Sequence, residues 1–393
     1  MSQTSPCLAG TMSQSERLLL DTLSNVAQTR ATHAMPGGFY TSQEFAQLER
    51  ERVFRQSWVC IGHVGELPAN GDYFTVDLVG EPLLVQRDGK GEIRVFANVC
   101  SHRGNLVAIG RGNARIHVCG YHAWSFDLEG KLKRAPLMQD CKDLDAAKCS
   151  LPTISTTIWQ NFIFVNLDGT AAPLCETLAP LESHIRDYNL KERGLHYSRE
   201  EVWNTNWKCL AENFMEGYHL NATHPKTLGT RSGSELSEHV PGNGHFSAYR
   251  SHYKPGAPQR TEAFTLGRGN APQREAVAPS REESPFSFNF SVFPNLLVSS
   301  NFHRTAYVCL MPLSIDRVEL RLGFDGPGEK PESDRLAEFI AYVDQVNSED
   351  RAKLETLQHG LRSSFYKPGP LAPENYEGTV RDFYSFVAKR ICN

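Results

Sequence analysis

The sequence predicts an α+β chain: a small all-β domain followed by a mixed domain that carries a long helix near its C-terminal end. Three observations lead there. From Trp58 to about Leu167, short runs rich in Val, Ile and Phe ("YFTVDLV", "EPLLVQ", "IRVFANV", "NFIFVNLDG") are separated by Gly, Asp and Asn turns, the pattern of many short strands. After "DGTAAP" (168–173), helix-like segments flank strands, of which "PFSFNFSVF", "TAYVCLMPL" and "RVELRLGF" are the clearest. From about Ser333 to Phe365, apolar residues recur at helical spacing.

Taken in order, residues 12–34 read as a polar helix and loop, and "MPGGFY" at 35–40 as a turn. Ser42 followed by Glu44 opens a helix over 42–58, with Phe45, Leu48 and Val53 on its apolar face. Helices are expected over 177–191 and 206–220, and residues 225–283, dense in Gly, Pro, Ser and His, read as a long loop region. The division is an N-terminal helical arm (1–40), a first domain (41–168) and a second domain (169–393). The net charge of −4, with 40% apolar and 22% charged residues, gives no electrostatic case for nucleic acid or an anionic membrane. No segment approaches the ~20 apolar residues of a membrane span, and no secretory signal is evident. A cytoplasmic protein is expected. Its ten cysteines are then not a disulfide framework; Cys60, Cys141, Cys149, Cys175 and Cys309 read as small buried hydrophobes.

Cys100 and Cys119 differ, because they come with histidines. In "CSHRGNLVAIGRGNARIHVCGYHAW" (100–124), Cys100 and His102 are followed sixteen residues later by Cys119 and His122. Thiolate and imidazole suit soft or borderline metals. Unrelated core residues and a structural zinc are the competing readings, but the common zinc pattern pairs Cys with Cys and His with His. Here each arm supplies one of each. A one-residue gap also splays two side chains to opposite faces of a strand, which suits two metal atoms. His117 belongs to neither pair and reads as an ordinary strand residue.

The segment resembles the Rieske [2Fe–2S] signature. The resemblance implies that Cys100 and Cys119 bind one iron and His102 and His122 the other, with Gly104, Gly120 and Trp124 at turn and aromatic-lid positions. Imidazoles in place of thiolates raise the potential to roughly −150 to +300 mV, which makes such a cluster an electron carrier.

A second constellation lies in "NWKCLAENFMEGYHLNATHP" (206–225), where Asn213, Glu216 and Tyr218 cluster with His219 and His224. The order E-x-x-H-x₄-H is similar to the mononuclear iron motif of Rieske-type non-haem oxygenases. The resemblance implies a facial triad of two histidines and one downstream carboxylate around Fe(II), with positions open for O₂. On the long helix, Asp350 falls on the apolar stripe, four residues before Leu354 and seven after Val343. Glu349 is expected to point about 100° away. A charge on a buried face needs a partner or a metal; Asp350 is chosen, Asp344 is the rival, and a buried salt bridge is the alternative role. Glu216, by resemblance, bridges the triad to the cluster of a neighbouring subunit through His122. Glu rather than Asp there is similar to the branch acting on quaternary ammonium compounds such as choline, glycine betaine and carnitine.

The resemblance covers nearly the whole chain. It implies a Rieske domain joined to a helix-grip (START/Bet v 1-like) catalytic domain with an antiparallel sheet. The implied function is the terminal oxygenase of a multicomponent system, a homotrimer fed by a separate NAD(P)H-dependent flavin/iron–sulfur reductase. The expected reaction uses O₂ to hydroxylate or N-demethylate a small quaternary ammonium substrate. Hydroxylation or demethylation of an aromatic acid is the alternative, and a plain Rieske electron-transfer protein the alternative of another class. Phe286, Phe288 and Phe290 share one strand face and are candidates for the substrate pocket; sheet core is the competing reading.

Overall fold

A computed structural model describes residues 14–255 and 286–392. Parts of the expected N-terminal arm (1–13) and of the expected loop region (256–283) lie outside the described residues. The architecture is α+β, as the strand and helix periodicities predict.

The first domain holds ten strands: β1 (Val59–His63), β2 (Asp72–Leu78), β3 (Glu81–Arg87), β4 (Ile93–Ala97), β5 (Arg111–Asn113), β6 (His117–Val118), β7 (Ser125–Phe126), β8 (Leu132–Arg134), β9 (Ser155–Trp159) and β10 (Phe162–Asn166). They form small antiparallel sheets in the orders β1-β10-β9, β4-β3-β2-β5 and β6-β7-β8. The β2–β3 hairpin closes over Val79 and Gly80, both at positive φ (49° and 88°), the geometry whose twist matches that of the flanking strands.

The second domain is one antiparallel sheet of β11 (Gly194–Trp203), β12 (Ser237–Val240), β13 (Phe246–His252), β14 (Phe286–Val292), β15 (Leu296–Asn301), β16 (Arg304–Ser314) and β17 (Arg317–Gly326). Its order is β11-β17-β16-β15-β14-β13-β12. The helices that matter for the site are α1 (Gln14–Gln28), α2 (Trp207–Met215), α3 (Leu220–Thr223), α4 (Ser333–Gly360) and α5 (Glu374–Cys392). Among the described residues, no helix is long and apolar enough to cross a membrane.

Register assigns the faces of this sheet. Tyr249 pairs with Asn289, Asn289 with Ser299, Ser299 with Ala306 and Ala306 with Phe324, so these five share one side. Phe288, Phe290, Val298 and Tyr307 occupy the other. That second side packs on the first domain: Phe290 lies 6.3 Å from Trp159 and Tyr307 5.1 Å from Phe162 between ring centroids. Asn295, fully buried, ties the two domains by accepting from the Cys60 N–H (2.9 Å) and donating to the Cys60 and Leu310 carbonyls (2.7 and 3.1 Å).

Several elements differ from the sequence expectation. The supposed loop region contains β12 and β13; Ser, His and Arg at alternate positions hide these strands from a hydrophobicity count. The helix expected over 42–58 is helical over Gln43–Leu48 and continues as a wider turn through Phe54. The long helix stops at Gly360 rather than Phe365, and α5 follows it without having been foreseen. Its apolar positions (Val380, Phe383, Phe386, Val387, Ile391) recur at helical spacing, but a kink at Glu377 and a glycine at 378 obscure its start. Gly378 is required there, since a Cβ would stand 2.6 Å from the His239 ring on β12. Of the lone cysteines, Cys60 and Cys309 are buried, with sulfurs 3.2 Å apart, whereas Cys141 and Cys175 are exposed and Cys149 is half-buried.

Candidate metal centres

The cluster loops are built by backbone geometry. Cys100 N–H bonds to the Asn105 carbonyl and Gly104 N–H to that of Cys100 (2.8 and 2.9 Å); Gly104 sits at φ +76°, which a glycine adopts without strain. Across from it, Cys119 N–H bonds to the Trp124 carbonyl and Ala123 N–H to that of Cys119 (2.8 and 3.0 Å). Each loop thus presents one cysteine and one histidine from a tight turn.

The two loops meet. The His102 and His122 rings lie 4.5 Å apart between centroids, and Trp124 stacks on His102 at 4.8 Å and 9°. Both thiols are buried at 2% exposure. Burial pushes the Cys100 thiol above its ordinary range. Cys119 is held below it despite burial, because the N–H groups of Tyr121 and His122, the Cys100 thiol and the Asn105 amide (3.7 Å) stabilise its charged form. His102 Nδ1 is buried without a hydrogen-bond partner. An orphaned imidazole nitrogen beside two adjoining thiols is a donor set that suits a [2Fe–2S] cluster. His117 sits in β6, bonded to Gln86 at 2.6 Å, outside this group.

The second centre is assembled from α2, α3 and α4. Asn206 caps α2, its side chain accepting from Lys208 N–H at 3.0 Å. The helix ends at Met215, and Glu216 leaves it in an extended conformation. This turns the Glu216 carboxylate onto the next turn, where it accepts from the N–H groups of Tyr218 and His219 and from His219 Nδ1 (2.5 Å for the last). His219 and His224 flank the short helix α3. On α4, Val343, Val346 and Asp350 face them at helical spacing.

Ligand atoms of His219, His224 and Asp350 all lie within 4.8 Å of one another. His224 Nε2 stands 3.0 Å and His219 Nε2 3.7 Å from Asp350 Oδ1. His224 Nε2 and Asp350 Oδ1 are both buried and form no hydrogen bond, an arrangement a metal ion would resolve. Both Nδ1 atoms face carboxylates, His219 toward Glu216 and His224 toward Glu349 at 2.8 Å. Carboxylates only accept, so each Nδ1 donates and each Nε2 lone pair is left for a metal.

Glu349, offset by one residue from Asp350, turns its carboxylate onto His224 at the end of α3; Thr227, just beyond α3, and Gln345, one turn back on α4, also donate to it (2.6 and 2.9 Å). Asp344, the rival ligand, pairs with Arg199 near the surface and takes no part. Asn213 lines the cavity that the triad closes, while Tyr218 is exposed.

That cavity has a volume of about 220 Å³. The face of β14 toward it is Ser287 and Asn289, so the phenylalanine face is corrected: Phe290 is buried against Trp159 of the first domain, Phe288 is buried against His184 and Tyr188, and Phe286 stands at 5.3 Å from His252. Alternation along the strand sends the two sets to opposite sides, and the sheet-core reading is the one that fits. Tyr249 lies in the wall, its phenol held far above the ordinary range by burial and then by the Glu216 and Asp350 charges, so it stays neutral. Arg231 and Arg304 also line the wall, and neither motif pointed to them.

Comparison with known proteins agrees with this geometry. Residues 57–153 match the Rieske [2Fe-2S] domain, and residues 187–392 match the ring hydroxylating alpha subunit (catalytic domain). The carnitine monooxygenase oxygenase subunit of Escherichia coli (strain K12) is 32% identical over 202 residues, 51% of this chain and 54% of that protein, so the chain spans about half the length of this relative. The glycine betaine monooxygenase oxygenase subunit of Pseudomonas aeruginosa (strain UCBPP-PA14) is 26% identical over 399 residues, 92% of this chain and 89% of that protein. In fold, the chain is similar to the quaternary ammonium Rieske monooxygenase CntA with L-carnitine bound (TM-score 0.77, 21% identity, 93% of this chain and 97% of that one). It is equally similar to naphthalene 1,2-dioxygenase from Rhodococcus sp. (TM-score 0.80, 21% identity, 97% and 99%). With its catalytic-domain match running over more than half its length, the chain belongs to the ring hydroxylating alpha subunit family and carries a Rieske [2Fe-2S] domain ahead of the catalytic one.

Proposed function

We propose that the chain is the terminal oxygenase component of a multicomponent system, acting in the cytoplasm on a small quaternary ammonium compound. The observation that carries this is the convergence of His219, His224 and Asp350 on one point at a cavity end, each imidazole already oriented by its own carboxylate. A plain electron carrier has no use for such a cavity. In the proposal, Cys100 and Cys119 hold one iron of the cluster, His102 and His122 the other, and the triad holds Fe(II). One-electron storage and O₂ activation are the chemistry these groups supply when bound.

The chain's own residues do the rest. Glu216 fixes the His219 tautomer and spans toward His122 of a neighbouring protomer in a homotrimer. Glu349 does the orienting work at His224. Phe214, Tyr249 and Tyr253 line the cavity with aromatic faces, which attract a methylammonium group. The relatives named for carnitine, glycine betaine and choline support that substrate class. Electrons come from a separate NAD(P)H-dependent reductase. A second reading, oxidation of an aromatic acid, is favoured by one observation: the cavity wall contains Arg231 and Arg304.

Glu216→Gln tests the bridge. The variant is expected to retain three irons per chain and the cluster's visible spectrum, while substrate-coupled NADH consumption falls at least a hundredfold. Full coupled turnover with the metals verified would remove Glu216 from electron transfer.

A further inference from the structure

Several polar side chains in the wall of the cavity that the triad closes already have partners. Ser232 and Ser251 share a hydrogen bond at 2.6 Å, as do Tyr253 and Ser287. Asn289 on β14 breaks this pattern. It lines the same cavity and is 6% exposed. The one hydrogen bond of its side chain among the described residues is a 3.3 Å donation from Nδ2 to the Ser287 carbonyl of its own strand. A side-chain amide carries two N–H donors and two acceptor lone pairs, so Oδ1 and the second N–H are left on the cavity side. A buried polar group without a partner costs free energy, and whatever occupies the cavity can supply one.

The register sets this amide's place relative to the triad. Asn289 pairs directly with Tyr249 on β13, which puts their Cβ atoms about 4.5–5.5 Å apart on one face of the sheet. The Tyr249 hydroxyl donates to the Phe214 carbonyl near the end of α2 (3.3 Å), the helix that leads into Glu216 and His219. Asn289 therefore stands one strand away from a residue that touches the triad's own scaffold. Phe214, Tyr249 and Tyr253 offer aromatic faces here, which suit a methylammonium group. A quaternary nitrogen has neither an N–H nor a lone pair and leaves the amide unmet. A carboxylate only accepts, and leaves Oδ1 unmet. A hydroxyl both donates and accepts, so it satisfies the amide in either orientation.

We propose that Asn289 is a specificity-determining residue that hydrogen-bonds a hydroxyl of the substrate, so that hydroxylated substrates are preferred over their deoxy counterparts. This rests on the oxygenase reading and deepens it: the substrate class narrows to quaternary ammonium compounds with a hydroxyl near the nitrogen. A site built to hydrogen-bond a hydroxyl rejects the analogue that lacks it, because the buried amide is then left unpaired.

The test is equilibrium binding, by calorimetry, to the chain carrying both of its iron centres. The probes are three pairs that differ by one hydroxyl: L-carnitine with γ-butyrobetaine, choline with ethyltrimethylammonium, and mandelate with phenylacetate. In the wild type, the hydroxylated member of at least one pair is expected to bind at least tenfold tighter than its deoxy partner. Asn289→Leu should bring that ratio to within threefold of unity and leave deoxy affinity nearly unchanged, a split that a merely structural role would not produce. Asn289→Asp, which keeps an acceptor in the same place, should recover part of the ratio. Absence of a hydroxyl preference in every pair of the wild type, which needs no variant to fold, overturns the assignment, as does a failure of every probe to bind. So does a preference that survives Asn289→Leu. Which pair responds reports separately on the proposed function: a preference confined to mandelate keeps the role of Asn289 and discards the ammonium substrate.

Discussion

The two constellations solve the same problem, holding metal-binding side chains at fixed spacing, by opposite means. The cluster loops draw Cys100, His102, Cys119 and His122 from 23 consecutive positions, and main-chain hydrogen bonds within each tight turn set their geometry. His102 and His122 remain at the rim, half-exposed. The triad takes its residues from segments more than a hundred positions apart, and side chains set its geometry: Glu216 behind His219, Glu349 behind His224, both on elements packed into the core. A rim site lets electrons enter and leave through the surface. A site assembled across packed elements fixes orientation, at the cost of needing outer partners for each imidazole.

The comparison is broken most severely by removing one residue from each centre. His224→Ala is expected to lose the mononuclear iron and all turnover while keeping the cluster's visible absorption. Cys119→Ser should bleach that absorption and leave the triad able to take up metal. Iron analysis and visible spectroscopy distinguish the two; a bleached cluster in His224→Ala would show that the centres do not form independently.

A subtler substitution sharpens the contrast. Glu349→Gln retains shape but weakens the acceptor for His224 Nδ1, and should cost about 10–100-fold in metal affinity, read by chelator competition with Fe(II) or Co(II). Asp344→Asn, one and a half turns away and paired with Arg199, should leave that affinity unchanged. Equal affinities for Glu349→Gln and the wild type would mean that His224 is oriented by packing alone.

The smallest expected effect concerns what anchors α2. Lys208 is buried beside Glu49 at 2.7 Å, and Glu212 receives the hydroxyls of Tyr40 and Tyr384 (2.9 and 3.1 Å). Burial raises the Glu212 carboxyl to about 8. An acid raised on folding leaves stability intact below its ordinary range, near 4.5, and erodes it as pH climbs to about 8. Glu212→Gln should therefore flatten the fall in melting temperature over that window by a few degrees. Parallel pH profiles for variant and wild type would show that Glu212 does not titrate in the native state.

What the sequence disclosed follows the same division. The Cys/His pairs of the first constellation were legible because they are local: two pairs, two short gaps, one segment. Asp350 was legible because α4 is periodic enough to place it on the inner stripe. The partner of Glu349 was not, because a helical wheel gives direction but not the neighbouring element, and His224 at the end of α3 lies across that direction. The phenylalanines of β14 were correctly grouped on one face, yet periodicity cannot say which face meets the cavity and which the other domain. Strands β12 and β13 escaped notice because their inward positions include Ser and His, which are satisfied there by hydrogen bonds such as Ser232 to Ser251 and His239 to Asp382. Arg231 and Arg304 carry no motif at all; only the folded chain places them in the cavity wall.

Asn295 has a mechanical consequence. With its buried amide bonded to main-chain groups of both β1 and β16, it acts as a rivet rather than a hinge pin. A chain riveted in this way cannot swing its cluster toward its own triad, as carrier proteins with tethered shuttle domains do. Under the proposed function, electrons would then travel a static path.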